Sequence, residues 1–291
     1  MRRTSIQSRG FRNLTMQFWM TLAISLLMLG VCSVNGQEAV LNDTCEACEI
    51  TCGSGSGQTT LSCKDIYDAD NGHKNEAYTL HVNSEQIPVY CHMVKAKLEE
   101  CGGGGWTLVM KINGDKDTFH YDSKLWTNKN ELNPLGGKTL LDHQETKLPT
   151  YWSTPFSKIC LAMKIDSQVK SIVIYKTASS LYALIADGTQ KNFTQNLGRQ
   201  AWKDLIGQNA SLQTHCNREG FNLKSPHYHS EARIGIVSNQ EDDCVTPDSR
   251  IGFGIGGYPN GHNTCGNVAS AGYHPDNGVK DIKAMGYILV Q

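Results

Sequence analysis

The sequence predicts an α+β fold, a single domain of mixed short sheets with long disulfide-crosslinked loops and few helices. Three observations carry that expectation. Apolar and polar residues alternate in several short segments, as half-buried strands require. Helical spacing is confined to brief stretches. Cysteines are plentiful, eleven in 291 residues, and they punctuate a chain holding 28 glycines.

At the N-terminus, Arg2, Arg3, Arg9 and Arg12 precede an uncharged apolar stretch from Met16 to Cys32. That is the layout of a secretory signal peptide. Val34 and Gly36 fit the small-residue positions before a cleavage site, so residues 1–36 read as the signal and Gln37 as the first mature residue. The stretch is also close to the length that crosses a bilayer, and an uncut anchor is the alternative. No second apolar run of membrane length follows, so the expectation is a secreted, extracellular chain with no membrane span after cleavage.

Residues 37–62 are polar and contain Cys45-x-x-Cys48-x-x-x-Cys52 followed by Gly53-Ser-Gly-Ser-Gly57. They read as a cysteine-bearing stalk and a flexible linker. A zinc knuckle would need a second ligand pair, which is absent nearby. Three cysteines cannot all pair among themselves, so at least one reaches the main domain or another chain. A disulfide-linked homo-oligomer through Cys45, Cys48 or Cys52 follows as one expectation.

Residues 63–291 show no further linker and no repeat, and they read as one domain of about 230 residues. Tyr78, Leu80 and Val82 fall on one face of a strand. Val89, Cys91 and Met93 mark a second, and Ile159, Leu161, Met163 and Ile165 a third. The runs Trp106–Met110, Ser171–Tyr175 and Gly286–Val290 predict strands covered on both faces. Trp202, Leu205 and Ile206 share one helical face between Gly198 and Gly207. A short helical turn is expected from Asp122 to Trp126, with Asp122 as its cap. The segment Asn239–Asp281, dense in Gly, Asn, Asp and Pro, reads as a long crosslinked loop region.

Lys plus Arg number 27 against 28 Asp plus Glu, a net charge of −1. Loss of the four signal arginines takes it to −5. Neither figure implies a nucleic acid or other polyphosphate partner. With Cys32 removed, ten cysteines remain, an even number in an oxidising compartment, and disulfides are their expected use. Sequons at Asn42, Asn192 and Asn209 predict a glycoprotein.

Cys63-Lys-Asp-Ile-Tyr67, Tyr78-Thr-Leu80, Val89-Tyr-Cys91-His-Met93 and Gly103-Gly-Gly-Trp-Thr107 come in a specific order and spacing. Together they resemble the opening of a fibrinogen C-terminal-like domain, and the resemblance covers residues 63–291. Cys63 paired with Cys91 would pin the first strand, while the glycines let the chain turn before Trp106 enters the core. The stretch Ile251-Gly-Phe-Gly-Ile-Gly-Gly257, bracketed by Cys244 and Cys265, resembles the intelectin branch more than ficolins or tenascins. That likeness suggests a Cys216–Cys244 pair and leaves Cys101, Cys160 and Cys265 unassigned. With its Ser157–Leu161 and Ala284–Ile288 segments, the chain is also similar to fibrinogen-like proteins of cnidarians, among them proteins recovered from stony-coral skeletal organic matrix.

Intelectins hold a calcium ion, and through it a sugar diol, with an Asn, a His and a Glu. The matching positions here are Val245, Asp248 and Pro259. Valine and proline side chains offer no oxygen to a hard cation, which puts the usual sugar site in doubt. Asp242, Asp243 and Asp248, with Glu241 and Asn239 close by, instead form a candidate calcium site, weighed against a plain solvated acidic loop. Calcium is the one cofactor expected.

His227-Tyr-His229 would place two imidazoles on one side of an extended strand, but two ligands do not close a metal site, and a surface pair is the favoured reading. Gly252-Phe-Gly-Ile-Gly-Gly257 satisfies a dinucleotide pattern, yet Tyr258-Pro259 follows where the phosphate-binding helix should begin. Tyr258, His262, Tyr273 and His274 are candidates for stacking on a sugar, with packing of the loops as the favoured alternative. No nucleophile elbow or zinc-protease motif appears. The expectation is a non-enzymatic extracellular matrix or adhesion glycoprotein, including a component of a calcified skeletal organic matrix, that contacts matrix components or glycans. A calcium-dependent carbohydrate-binding lectin of intelectin or ficolin type is the alternative.

Overall fold

The computed structural model describes residues 62–69, 74–82, 84–98, 100–270 and 274–291. The signal, the stalk cysteines Cys45, Cys48 and Cys52, the sequon at Asn42 and the ring of Tyr273 lie outside these residues. Helix α1 (Cys63–Ala69) leads into β1 (Glu76–Val82), β2 (Glu85–His92) and β3 (Trp106–Asn113). Then come β4 (Thr146–Lys147), α2 (Thr150–Ser153), β5 (Phe156–Ile165), β6 (Gln168–Ala178) and α3 (Leu181–Ile185). The chain continues through β7 (Lys191–Asn192), α4 (Arg199–Ile206), β8 (His215–Leu223), β9 (Glu231–Asn239) and β10 (Ser249–Gly256). It finishes with β11 (Cys265–Ala269), β12 (Lys280–Lys283) and β13 (Met285–Val290). Strand pairing is antiparallel throughout, the helices are few and short, and three disulfides cross the fold.

Two sheets result. The first runs β1-β2-β3-β13-β5-β6, with β4 beside β3, and the second runs β12-β11-β10-β9-β8-β7. Alternation along the central strands of the first sheet explains its double burial. Ile159, Leu161 and Met163 of β5, with Ile288 and Val290 of β13, join Ile234, Ile251 and Phe253 of the second sheet in the main core. The intervening Cys160, Ala162, Tyr287 and Leu289 enter a second core with Leu80, Val89, Trp106 and Leu98. Both parities are apolar because both faces are covered.

Most predicted elements appear where the periodicity puts them. Trp202, Leu205 and Ile206 are the buried face of α4, which Gly198 and Gly207 bound. Trp106 is 1% exposed and donates from Nε1 to the Cys101 carbonyl at 3.0 Å. Gly105, at φ +84°, has no room for a Cβ, which would strike the Cys63 carbonyl and the Tyr67 side chain.

Other expectations need correction. Cys63 opens a helix, so its bond to Cys91 ties α1 to β2 and does not pin a first strand. The turn Lys124–Trp126 is a 3₁₀ turn capped by Ser123, whose side chain accepts from Leu125 N–H, in place of Asp122. β6 is fully covered on one face only, where Ile172 and Ile174 are buried, while Val173 on the other face is partly exposed. It is the last strand of its sheet, and its Tyr175 is 59% exposed.

The largest correction concerns Asn239–Asp281, expected as loop. It contains β10, β11 and the start of β12, and the glycine-rich stretch is a buried central strand. Gly235 of β9 faces Gly252 of β10 in register. A Cβ on either would fall inside contact distance of a main-chain oxygen of the other strand. Local propensity reads glycine as a turn, but here the missing side chains let two backbones approach where the sheet coils. The coiling is severe. Arg250 and Gly257 would lie about 23 Å apart in a flat strand, yet the Arg250 side chain hydrogen-bonds the Gly257 carbonyl at 3.2 Å.

The cysteine expectation is met in part. Cys63–Cys91 and Cys216–Cys244 are formed, and the unassigned Cys101 and Cys160 pair with each other. Cys265 does not pair. It is a fully buried free thiol whose pKa burial pushes up, so the even count does not translate into complete pairing.

Candidate functional site

The coiling of β9 and β10 gathers three connecting segments, residues 224–230, 240–248 and 257–264. Ser230 N–H donates to the Pro247 carbonyl at 2.8 Å, Ser225 Oγ to Val245 O at 2.7 Å, and Tyr258 N–H to Tyr228 O at 2.7 Å. Cys216–Cys244 fastens the middle segment to β8.

Beneath them lies Arg250, wholly buried. Its guanidinium donates to Ser230 Oγ and to four consecutive backbone carbonyls, those of Gly257, Tyr258, Pro259 and Asn260, at 2.6 to 3.5 Å. A planar fork with several donors suits such a ring of oxygens. Desolvation pulls the Arg250 pKa down to about 9, opposed by the charges of Glu231 and Asp281. Asp281 reaches the same loop from β12, accepting from Asn260 Nδ2 at 2.6 Å and Asn263 Nδ2 at 2.9 Å. Glu231 is 1% exposed, and its Oε1 has no hydrogen-bond partner among the described residues. Burial raises its pKa to about 7, Asp122 adds to the rise, and Lys224, Arg250 and Arg233 oppose it.

What this frame presents to solvent is aromatic. Tyr258 is 52% exposed and Tyr228 72% exposed. The His229 ring stands edge-on to Tyr258 with centroids 5.7 Å apart. Its Nδ1 lies 2.7 Å from Oδ1 of the buried Asp248. A buried carboxylate thus orients the imidazole that supports Tyr258. Tyr258 therefore packs against the loop through His229, as the favoured reading has it, while about half of the residue stays exposed. His262 and His274 are exposed too, His262 lying 3.5 Å from Asp117.

The candidate calcium residues separate in the fold. Asp248 is 2% exposed and committed to His229, while Asp242 stands 91% exposed beside His215 at 2.8 Å. Asp243 Oδ1 accepts from Val245 N–H at 2.9 Å. Among the described residues, no group of three or more His, Cys, Asp or Glu side chains is placed to hold a metal ion. His227 and His229 are not on a strand. They sit in the turn between β8 and β9, with Tyr228 between them at φ +57°. Val245 is 46% exposed and Pro259 is buried with its carbonyl on Arg250. Asn192 and Asn209 are both exposed.

Two residues of this candidate site are not signalled by the sequence. Arg250 sits in a Ser-Arg-Ile context that carries no sign of burial, and Tyr228 was passed over between two histidines. No protein-family model matches this chain, and no curated protein matches it either. Among the described residues no helix is long and apolar enough to cross a membrane.

Proposed function

We propose that this chain is a secreted, non-enzymatic adhesion or matrix glycoprotein built on a fibrinogen C-terminal-like domain, with a calcified skeletal organic matrix as one setting. Its contact surface is the Tyr228–Tyr258 end of the second sheet. The observation that carries the reading is the clamped loop. Exposed Tyr258 is held by a buried guanidinium under its loop and by the His229–Asp248 pair against its ring, and its N–H donates to the carbonyl of exposed Tyr228. Rigid aromatic rings give large contact area at little entropic cost, as adhesive surfaces need. Three disulfides support an oxidising, extracellular location. Six cysteines of the main domain pair with one another and Cys265 is buried, which supports a covalent homo-oligomer through Cys45, Cys48 or Cys52.

The test is retention of the secreted protein on immobilised matrix extract and on a glycan array, with and without chelator. Retention insensitive to chelator and reduced in a Tyr228→Ala/Tyr258→Ala variant is expected. Equal retention of the variant refutes the surface assignment. The second reading, a calcium-dependent lectin, is favoured by the consecutive exposed carboxylates of Glu241, Asp242 and Asp243. Glycan retention abolished by chelator would establish it.

A further inference from the structure

On a different part of the domain, we propose that the groove between β6 and α4 is a docking slot for one extended peptide segment, which adds to the first sheet as a new edge strand. The groove encloses about 660 Å³. One wall is the unbroken run Val169, Lys170, Ser171, Ile172 and Val173, continued by Tyr175. Successive strand residues point to opposite faces, so five in a row lining one groove means that the strand presents its edge. That edge is unclaimed. Among the described residues β6 pairs with β5 alone, which leaves backbone N–H and C=O groups on its other side unused by any strand.

The remaining walls define the guest. Leu197, Ala201 and Leu205 give one flank an apolar lining. Glu100 and Asp204 add carboxylates. Ser171 is 6% exposed, and its Oγ has no hydrogen-bond partner among the described residues although it is buried. Such a hydroxyl is costly unless something bonds it. A strand laid here directs alternate side chains toward the α4 flank, where Asp204 stands beside Ala201 and Leu205, and the others toward Ser171, Tyr175 and Glu100. The matching segment alternates aliphatic residues with basic or hydroxyl-bearing ones. Recognition of this kind draws affinity from main-chain hydrogen bonds and selectivity from alternate side-chain pockets. A second folded copy joined through its own β6 is excluded as the guest by its α4, which would meet this α4 across the seam. Lys170 and Lys176 on β6 act as the charges that keep an open edge from indiscriminate pairing.

The experiment uses the full secreted chain and a fluorescent, end-capped synthetic heptapeptide that alternates valine with lysine and threonine. Saturable binding is expected, with slowed amide exchange at residues 169–175. Affinity should fall at least about tenfold when alternate peptide nitrogens are methylated, which removes strand hydrogen bonding. It should fall equally with Ala201→Trp, which fills the slot, and Leu197→Trp serves where the first variant folds poorly. Tyr258→Ala should bind normally, which separates this slot from the tyrosine surface. Absence of saturable binding up to about 1 mM peptide, or binding that survives either the methylation or the slot-filling variant, overturns the proposal.

Discussion

Replacing Glu231 with glutamine removes a buried charge while keeping the side chain's shape. Glu231 pairs across the strands with Gly256, is 1% exposed, and carries a carboxylate oxygen without a hydrogen-bond partner among the described residues. Its pKa rises from 4.5 to about 7, through burial first and Asp122 second, with the attraction of Lys224, Arg250 and Arg233 already counted. A carboxyl raised in this way binds more protons folded than unfolded between those values, so stability falls as pH climbs through that window. The penalty is absent below the unfolded value and complete above the folded one. At about 1.4 kcal/mol per unit the ceiling is ~3 kcal/mol, and local relaxation reduces it to about 2. For a domain of this size that is roughly 4 to 8 °C in the unfolding midpoint. Calorimetry of wild type and Glu231→Gln should therefore show the variant more stable by that amount at pH 8 and level with wild type at pH 4. An equal difference at both pH values, or a less stable variant at pH 8, refutes a buried carboxylate under strain.

Peptide mapping without reduction should recover Cys63–Cys91, Cys101–Cys160 and Cys216–Cys244, with Cys265 alkylated only after unfolding because its thiol is buried and hard to ionise; a bond between Cys265 and a stalk cysteine would contradict this. Arg250→Met should cost about 3 kcal/mol or more, since it strips the donor from the buried Ser230 hydroxyl and from four loop carbonyls, that of Pro259 buried, and it should open the loop at residues 257–262 to limited proteolysis. An unchanged melting point with an unchanged digestion pattern would show that the guanidinium does not hold that loop.

The strands with clean alternation were legible because burial there follows a period of two that any stretch of chain reveals on its own. Leu80 and Val82, and Val89 and Cys91, point as expected; Ile159, Leu161 and Met163 share a face as expected, but Cys160 and Ala162 between them are buried too, so β5 is covered on both faces and not half-buried. The face of α4 was legible for the same reason at helical spacing. Edge against centre was not legible, because Ser171–Tyr175 and Gly286–Val290 are equally apolar and only the strand order makes β6 terminal.

By itself the sequence determined much of the strand content, the amphipathic face of α4 and, through the resemblance, two of three disulfides, since each rests on residues near one another or on the resemblance they carry. The tertiary structure alone decided that Ile251–Gly256 is strand, that Cys101 meets Cys160, and that Arg250 cages the loop bearing Tyr258. Those facts depend on partners far away in the chain. Gly252 reads as a turn until Gly235 lies opposite it, and an arginine reads as surface until four carbonyls close around it.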